Sequence, residues 1–386
     1  MRIGIVSETW PPEINGVALT VHSLATGLAA RGHRIDLVRP APRQPGDDES
    51  GIEELHTRGV ALPNYPDVRI GLPAGHRLRR RWSRQRPDVI YIATEGPLGW
   101  SAMRTARRFG IPVATGFHTR FDHYARDYGL PWIIPVVRAH LRRFHCRAAS
   151  TLVPTQALAT ELAELGVHNA RLLRRAVDTR LFHPKWRDAS LRAQWGVSDT
   201  TPVILYVGRI AAEKNLDLAV RTFEALRRQI PDARYLWVGD GPERAALQAA
   251  HPDYIFAGMQ RGEALARHYA SADLFPFPSL SETFGNVILE AMASGLPVVG
   301  YDTGAAHEHL RDGLNGYRIV PGAPGDFIAT TVDLACQPQR MREMGQAGRS
   351  DMERLSPETV IREFETLLIN LTREQAHARN VFPARS

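Results

Sequence analysis

From the first residue to about Ser356, short apolar runs of strand length alternate with longer stretches of helical periodicity. That alternation fixes the class as α/β with parallel sheets, because parallel neighbours need a long crossover and the crossover is usually a helix. Strand-like runs lie near Ile3, Ile35, Val89, Val113 and Leu152, with helical patterns at 17–30, 99–108 and 157–165 between them. A second series lies near Val203, Tyr235, Ile255, Leu274 and Val298. Residues 181–201, with Pro184 inside and Pro202 at the end, read as a linker. A chain of 386 residues exceeds one ordinary core, so two domains are expected, 1–183 and 184–356. A last helical pattern, 357–372, follows the second sheet, and 375–386 read as a loose tail.

Hydrophobic residues at 44% and charged residues at 23% give a globular composition. Cys146 and Cys336 stand far apart without a Cys-x-x-Cys spacing, which argues against a disulfide framework or a zinc site and suits a reducing cytoplasm. The first residues enter a strand directly and Glu8 interrupts the apolar run, so no secretory signal is expected. No run of 18 apolar residues occurs, yet lying against a bilayer stays open. The net charge of +7 is clustered. Arg77, Arg79, Arg80, Arg81, Arg84 and Arg86 surround Leu78 and Trp82, and Arg138, Arg142, Arg143 and Arg147 form a second group. Leu78 and Trp82 share one helical face, the pattern of an interfacial helix on anionic lipid and equally of a solvated helix with two core contacts. No DNA or RNA module accompanies the charge, so nucleic acid is not the expected partner.

Two segments carry chemistry. In the first, Gly208-Arg209-Ile210-Ala211-Ala212-Glu213-Lys214-Asn215 follows the run 203–207 and precedes a helical pattern, so Arg209 and Lys214 sit in a strand-to-helix loop. Such cations can draw charge off a departing diphosphate, or form a merely solvated basic loop. In the second, Glu282 and Glu290 bracket another strand-to-helix turn, where backbone N–H groups of Phe284, Gly285 and Asn286 could meet a diphosphate. Glu282 then accepts from sugar hydroxyls and Glu290 from a ribose, or the two are a helix cap and a solvated residue.

Together, Gly-Arg-x-x-x-Glu-Lys-Asn and Glu-x7-Glu resemble the retaining family 4 glycosyltransferases, over nearly the whole chain. The resemblance implies the GT-B fold, two Rossmann-like domains facing across a cleft, with a terminal helix crossing back to the first domain. It implies that Gly16, after Trp10-Pro11-Pro12-Glu13-Ile14-Asn15, lets backbone approach a phosphate or sugar, and that His118, in Thr115-Gly116-Phe117-His118-Thr119, faces the donor sugar. On this reading His118, Arg209, Lys214 and Glu282 are catalytic. Gly16, Arg209, Lys214, Glu282, Phe284, Gly285, Asn286 and Glu290 bind the nucleotide sugar. The family's mechanism loosens the bond to the donor phosphate first, and the acceptor attacks from the face the diphosphate leaves. No Asp-x-Asp pair occurs, so metal independence is predicted, with no cofactor beyond the nucleotide sugar.

The chain departs from the family at two places: Gly304-Ala305-Ala306-His307-Glu308 stands where Gly-Gly-x-Pro-Glu is usual, and Ala176-Val177-Asp178 replaces Gly-Val-Asp. His307-Glu308-His309 lacks zinc spacing, and Gly239-Asp240-Gly241 lacks the third glycine of a nicotinamide-binding turn. The phosphate-loop pattern is absent. The likeness leans toward mannosyltransferases using GDP-mannose on a membrane lipid or glycolipid, peripheral on the inner face of the cytoplasmic membrane and docked through Arg77, Arg79, Arg80, Arg81 and Trp82. A UDP-hexose transferase building a polysaccharide precursor is the runner-up, and a sugar-nucleotide epimerase of the same fold or a non-catalytic binding protein are further alternatives.

Overall fold

The computed structural model describes residues 1–11, 16–42, 50–62, 65–118, 134–280 and 284–381. The chain divides into two compact units, Met1–Arg175 with Pro357–Ser386, and Ala176–Ser356.

Unit 1 contains β1 (Arg2–Val6), β2 (Arg34–Pro40), β3 (Ile52–Thr57), a hairpin of β4 (Gly59–Leu62) and β5 (Tyr65–Gly71), then β6 (Val89–Ile92), β7 (Val113–Gly116), β8 (Ser150–Val153) and β9 (Ala170–Leu172). Its main sheet runs β3-β2-β1-β6-β7-β8-β9, parallel throughout. Ile3, Ile5, Val89 and Ile90 are fully buried, as expected where helices cover both faces. β3, β9 and the hairpin escape the sequence reading because their exposed or mixed residues lack the continuous apolar signal of the inner strands.

The helix Gly75–Arg84 corrects one expectation. Leu78 and Trp82 are completely buried, and Trp82 Nε1 donates to Asp36 Oδ2 at 3.2 Å. Arg81 bonds Asp36 and Glu53. The helix has spent its apolar stripe on the sheet, where an indole burying about 200 Å² contributes roughly 5 kcal/mol, so Trp82 has no surface to offer a lipid. Arg77, Arg79, Arg80, Arg84 and Arg86 are exposed.

The C-terminal helix Pro357–Val381 belongs to unit 1 and runs on through residues read as a tail. Val360, Phe364, Leu368 and Leu371 form its buried stripe. It packs on the helix Gly16–Ala30 so closely that a Cβ at Gly27 would lie 2.2 Å from Ile361 Cδ1.

Unit 2 holds β10 (Val203–Val207), β11 (Arg234–Val238), β12 (Ile255–Gly258), β13 (Phe275–Phe277), β14 (Val298–Tyr301) and β15 (Gly316–Ile319). Two three-stranded ladders, β10-β11-β12 and β13-β14-β15, meet at a parallel bridge between Ile204 and Leu274. Leu205 N donates to Leu274 O at 3.0 Å and Asp273 N to Val203 O at 2.9 Å. The spatial order is therefore β12-β11-β10-β13-β14-β15, the doubly wound arrangement. The segment expected as a linker is built into this unit. It forms a short 3-10 turn, Pro184–Trp186, and a helix, Ala189–Gln194. Its Arg192 is 1% exposed and donates to Ser271 O and Asp273 Oδ2 at 2.6 and 3.1 Å, while Phe182, Trp195 and Val197 enter the core. Prolines and charges mark a linker only when the charges face water, and this arginine is buried with both Nη atoms hydrogen-bonded.

Candidate functional site

In open parallel sheets the crevice for ligands lies beyond the carboxyl ends of strands where the strand order reverses. In unit 2 the reversal falls between β10 and β13, and the two motif segments are the loops that follow those strands. Asn215, among the described residues the one non-glycine with positive φ (56°), ends the turn Ala212–Lys214 and caps the helix Leu216–Gln229. Asparagine tolerates this left-handed geometry better than most residues. Its Nδ2 donates to Pro278 O at 3.2 Å, which ties the first loop to the second.

Arg209 is ion-paired with the buried Glu213, and Tyr206 Oη donates to Arg209 O at 2.9 Å. Lys214 is 9% exposed. The turn after β11 buttresses this loop from the other side: Ile210 N donates to Asp240 O at 2.9 Å and Glu243 N to Ile210 O at 3.1 Å. Backbones approach so closely that a Cβ at Gly239, whose φ is 137°, would lie 2.0 Å from Gly208 O. The incomplete nicotinamide pattern thus has a packing reason.

After β13, Glu282 falls outside the described residues, as do Ser281 and Thr283. Phe284 is buried, and its carbonyl accepts from Ala305 N at 2.6 Å. Gly285, at φ 94°, is the N-cap of the helix Asn286–Ala293. The Asn286 Oδ1 is buried without a hydrogen-bond partner. Glu290 sits one turn inside, and Tyr269 Oη donates to its Oε2 at 2.9 Å. Burial pushes the Glu290 carboxyl up to about 7, with the Tyr269 hydrogen bond pulling the other way, although part of the side chain still reaches solvent. Ala305 lies fully buried against this turn, where its methyl replaces the family's glycine. The helix Gly304–His309 carries His307, which contacts Asp302 at 2.9 Å.

In unit 1 the order reverses between β1 and β6. Glu8, just past β1, accepts from Leu98 N at 3.1 Å at the start of the helix Pro97–Phe109, a favourable place for a carboxylate. Even so, desolvation raises its carboxyl to about 7. Glu95, just past β6, is 6% exposed with Oε1 unpartnered, and burial raises its carboxyl to about 8, with Glu8 adding to the shift. Gly16 is the first residue of the helix Gly16–Ala30 and is exposed. His118, two residues past β7, is 9% exposed. Its Nδ1 is 2.6 Å from Arg175 Nη2 and its Nε2 is 2.6 Å from Tyr91 Oη. Gly116 leaves room for that pair, since a Cβ there would lie 2.3 Å from both His118 Nε2 and Tyr91 Oη.

The profile of Glycosyltransferase Family 4 matches residues 14–235, and that of Glycosyl transferases group 1 matches 201–337. A GDP-mannose-dependent alpha-mannosyltransferase of Mycobacterium tuberculosis is 34% identical over 329 residues, 83% of this chain and 84% of that one. The chain belongs to glycosyltransferase family 4. It is therefore a retaining hexosyltransferase. A GDP-mannose-dependent alpha-(1-6)-phosphatidylinositol monomannoside mannosyltransferase of Mycolicibacterium smegmatis is 28% identical over 89% of this chain and 92% of its own. Among solved structures, sucrose-phosphate synthase from Thermosynechococcus elongatus superposes with TM-score 0.82 at 20% identity, covering 97% of this chain and 99% of that one. That likeness establishes the fold, two Rossmann-like domains of the GT-B class.

Within each unit, the residues singled out in this family 4 chain gather at strand ends. Arg209, Lys214, Phe284, Gly285, Asn286 and Glu290 share the β10/β13 edge of unit 2, whereas Gly16 and His118 belong to unit 1. Tyr269, Tyr91, Arg175, Glu8 and Glu95 contact or adjoin these residues and were missed. Arg175 alone had a local signal, its position directly before the Ala176-Val177-Asp178 turn. The others reach their partners from other elements, which spacing within one motif does not encode.

Proposed function

We propose that this transferase moves a mannosyl group, with retention, from GDP-mannose to a membrane lipid or glycolipid acceptor at the inner face of the cytoplasmic membrane. The observation that carries this reading is the 34% identity over 83% of the chain to a relative named for GDP-mannose dependence, joined by a second relative named for a phosphatidylinositol mannoside acceptor. In the proposed reaction, Arg209 and Lys214 neutralise charge growing on the leaving diphosphate. Glu282 and His118 position the sugar. Phe284, Gly285 and Asn286 bring the helix start toward the diphosphate, Glu290 receives the ribose hydroxyls, and Gly16 admits a close backbone approach. The departing phosphate oxygen takes the acceptor's proton.

A basic surface supports the membrane location. The helices Gly75–Arg84, Pro97–Phe109 and Ile134–His145 contain no Asp or Glu. They expose Arg77, Arg79, Arg80, Arg84, Arg104, Arg107, Arg108, Arg138, Arg142 and Arg143. The first two pack together, and Trp100 of the second meets Phe144 and His140 of the third at ring distances of 5.2 and 5.5 Å. Each arginine near an anionic surface contributes about 1 kcal/mol. No described helix is long and apolar enough to cross a membrane. The test is a panel of radiolabelled sugar nucleotides with a membrane lipid extract. GDP-mannose is expected to give a solvent-extractable product, and label entering only water-soluble saccharide, or only from a UDP-hexose, would replace this reading with the polysaccharide or UDP alternative.

A further inference from the structure

His118 is enclosed by donors and acceptors whose roles elementary chemistry fixes. A guanidinium only donates, so Arg175 Nη2, 2.6 Å from His118 Nδ1, makes that nitrogen an acceptor without a proton. A neutral imidazole then carries its proton on Nε2 and donates it to Tyr91 Oη, 2.6 Å away. We propose that Arg175 and Tyr91 are positioning residues that lock His118 as the neutral Nε2–H tautomer, so that the ring is a fixed, uncharged part of the site and neither takes up nor gives away a proton during transfer. This rests on the reading of His118 as a site residue, but the lock itself is a property of unit 1.

The surroundings oppose any other state. A proton on Nδ1 would set N–H against N–H and place an imidazolium beside a buried guanidinium. Arg175 is 8% exposed, and among the described residues burial and Tyr91, with no carboxylate, set its electrostatics. Among the described residues, the groups facing the ring are Arg175 from the segment after β9, Tyr91 from β6 and His145 from the helix Ile134–His145. Glu95, from the loop after β6, acts on Tyr91. Burial first, then Arg175 and His145, hold His118 well below its usual 6.5. With both nitrogens engaged, a mechanism using His118 as general base has no site for the proton.

The lock is tested on the full-length protein by two readouts. With ring-15N histidine and a His118→Gln control to assign the signal, His118 is expected to show an unprotonated Nδ1 and a protonated Nε2, unchanged from pH 8 to pH 5.5. In Arg175→Met, which removes the donor and its charge but keeps the burial, Nδ1 should become partly protonated and any titration should lie above that of the wild type yet below 6.5, and in Arg175→Lys, which still donates, the signals should stay fixed. Transfer kinetics supply the second readout: kcat/KM of Arg175→Met should fall and acquire an acid limb at higher pH than any in the wild type or Arg175→Lys. A wild-type ring protonated on Nδ1, or titrating in this range, overturns the lock. If the spectra behave as expected but Arg175→Met keeps the wild-type pH profile, the tautomer stands and its role in transfer is refuted. If Arg175→Met does not fold, the wild-type spectrum and Arg175→Lys decide the tautomer alone.

Discussion

Glu95 offers the sharpest test of the energetics at the unit 1 strand ends. Its carboxyl is 6% exposed, has an unpartnered Oε1, and is raised from 4.5 to about 8 by burial, with Glu8 contributing. Between those values the folded protein keeps a proton that the unfolded chain has lost, so stability is fully present below pH 4.5 and declines as pH rises toward 8. At about 1.4 kcal/mol for each pH unit, the loss is capped near 5 kcal/mol, and relaxation around a buried carboxylate brings the expected value to about 2–3 kcal/mol. Glu95→Gln removes the titration while keeping the shape. The variant should match the wild type at pH 4.5 and exceed it at pH 9, where the unit 1 melting transition should rise by roughly 5–10 °C. Thermal unfolding at the two pH values checks this. Equal pH dependence in the two proteins would refute the assignment of a desolvated, protonated carboxyl.

Further outcomes follow from other contacts. Tyr269→Phe removes the hydrogen bond that holds the Glu290 carboxyl down, so the acid limb of donor binding should move above its wild-type position near pH 7, with donor KM at pH 7 rising about three- to tenfold; an unmoved limb counts against Glu290 as a donor ligand. Gly239→Ala would force a methyl against Gly208 O at 2.0 Å from a backbone φ of 137°, and should lower stability by about 2–4 kcal/mol in urea unfolding. Replacing Arg77, Arg79 and Arg80 together by Gln should weaken binding to phosphatidylglycerol vesicles by about 3 kcal/mol at low salt, with little change in melting temperature because all three are exposed. Transfer should persist in excess chelator, checked by product formation with and without added magnesium or manganese, since the charges at the diphosphate are expected from Arg209 and Lys214.

Much of this protein is legible in its residue pattern. The inner strands β1, β2, β6, β7, β8, β10, β11, β13 and β14 announce themselves because a parallel strand covered on both faces must be apolar along its length, and the edge strand β12 does so through its apolar Ile255-Phe256-Ala257 run. The family motifs are equally local, since each binding loop is one strand-to-helix turn. Edge strands such as β3 and β9, and the prolines and charges of 181–201, misled or escaped a local reading. Their packing or pairing depends on residues far away, as when Arg192 finds its acceptors at Ser271 and Asp273.

The sequence by itself determined the α/β class, the family, the loop that carries Arg209 and Lys214, and the helix start that carries Glu290. Tertiary structure decided which face of the helix Gly75–Arg84 is buried, so that Trp82 serves the core while Arg77, Arg79, Arg80 and Arg84 face water. It also decided the ionisation of Glu8, Glu95, His118 and Glu290, because desolvation and partners such as Tyr269 and Arg175 come from elements brought together only by folding. Helical periodicity gives the stripe on a helix, but the field at a side chain is summed over whatever the fold places around it.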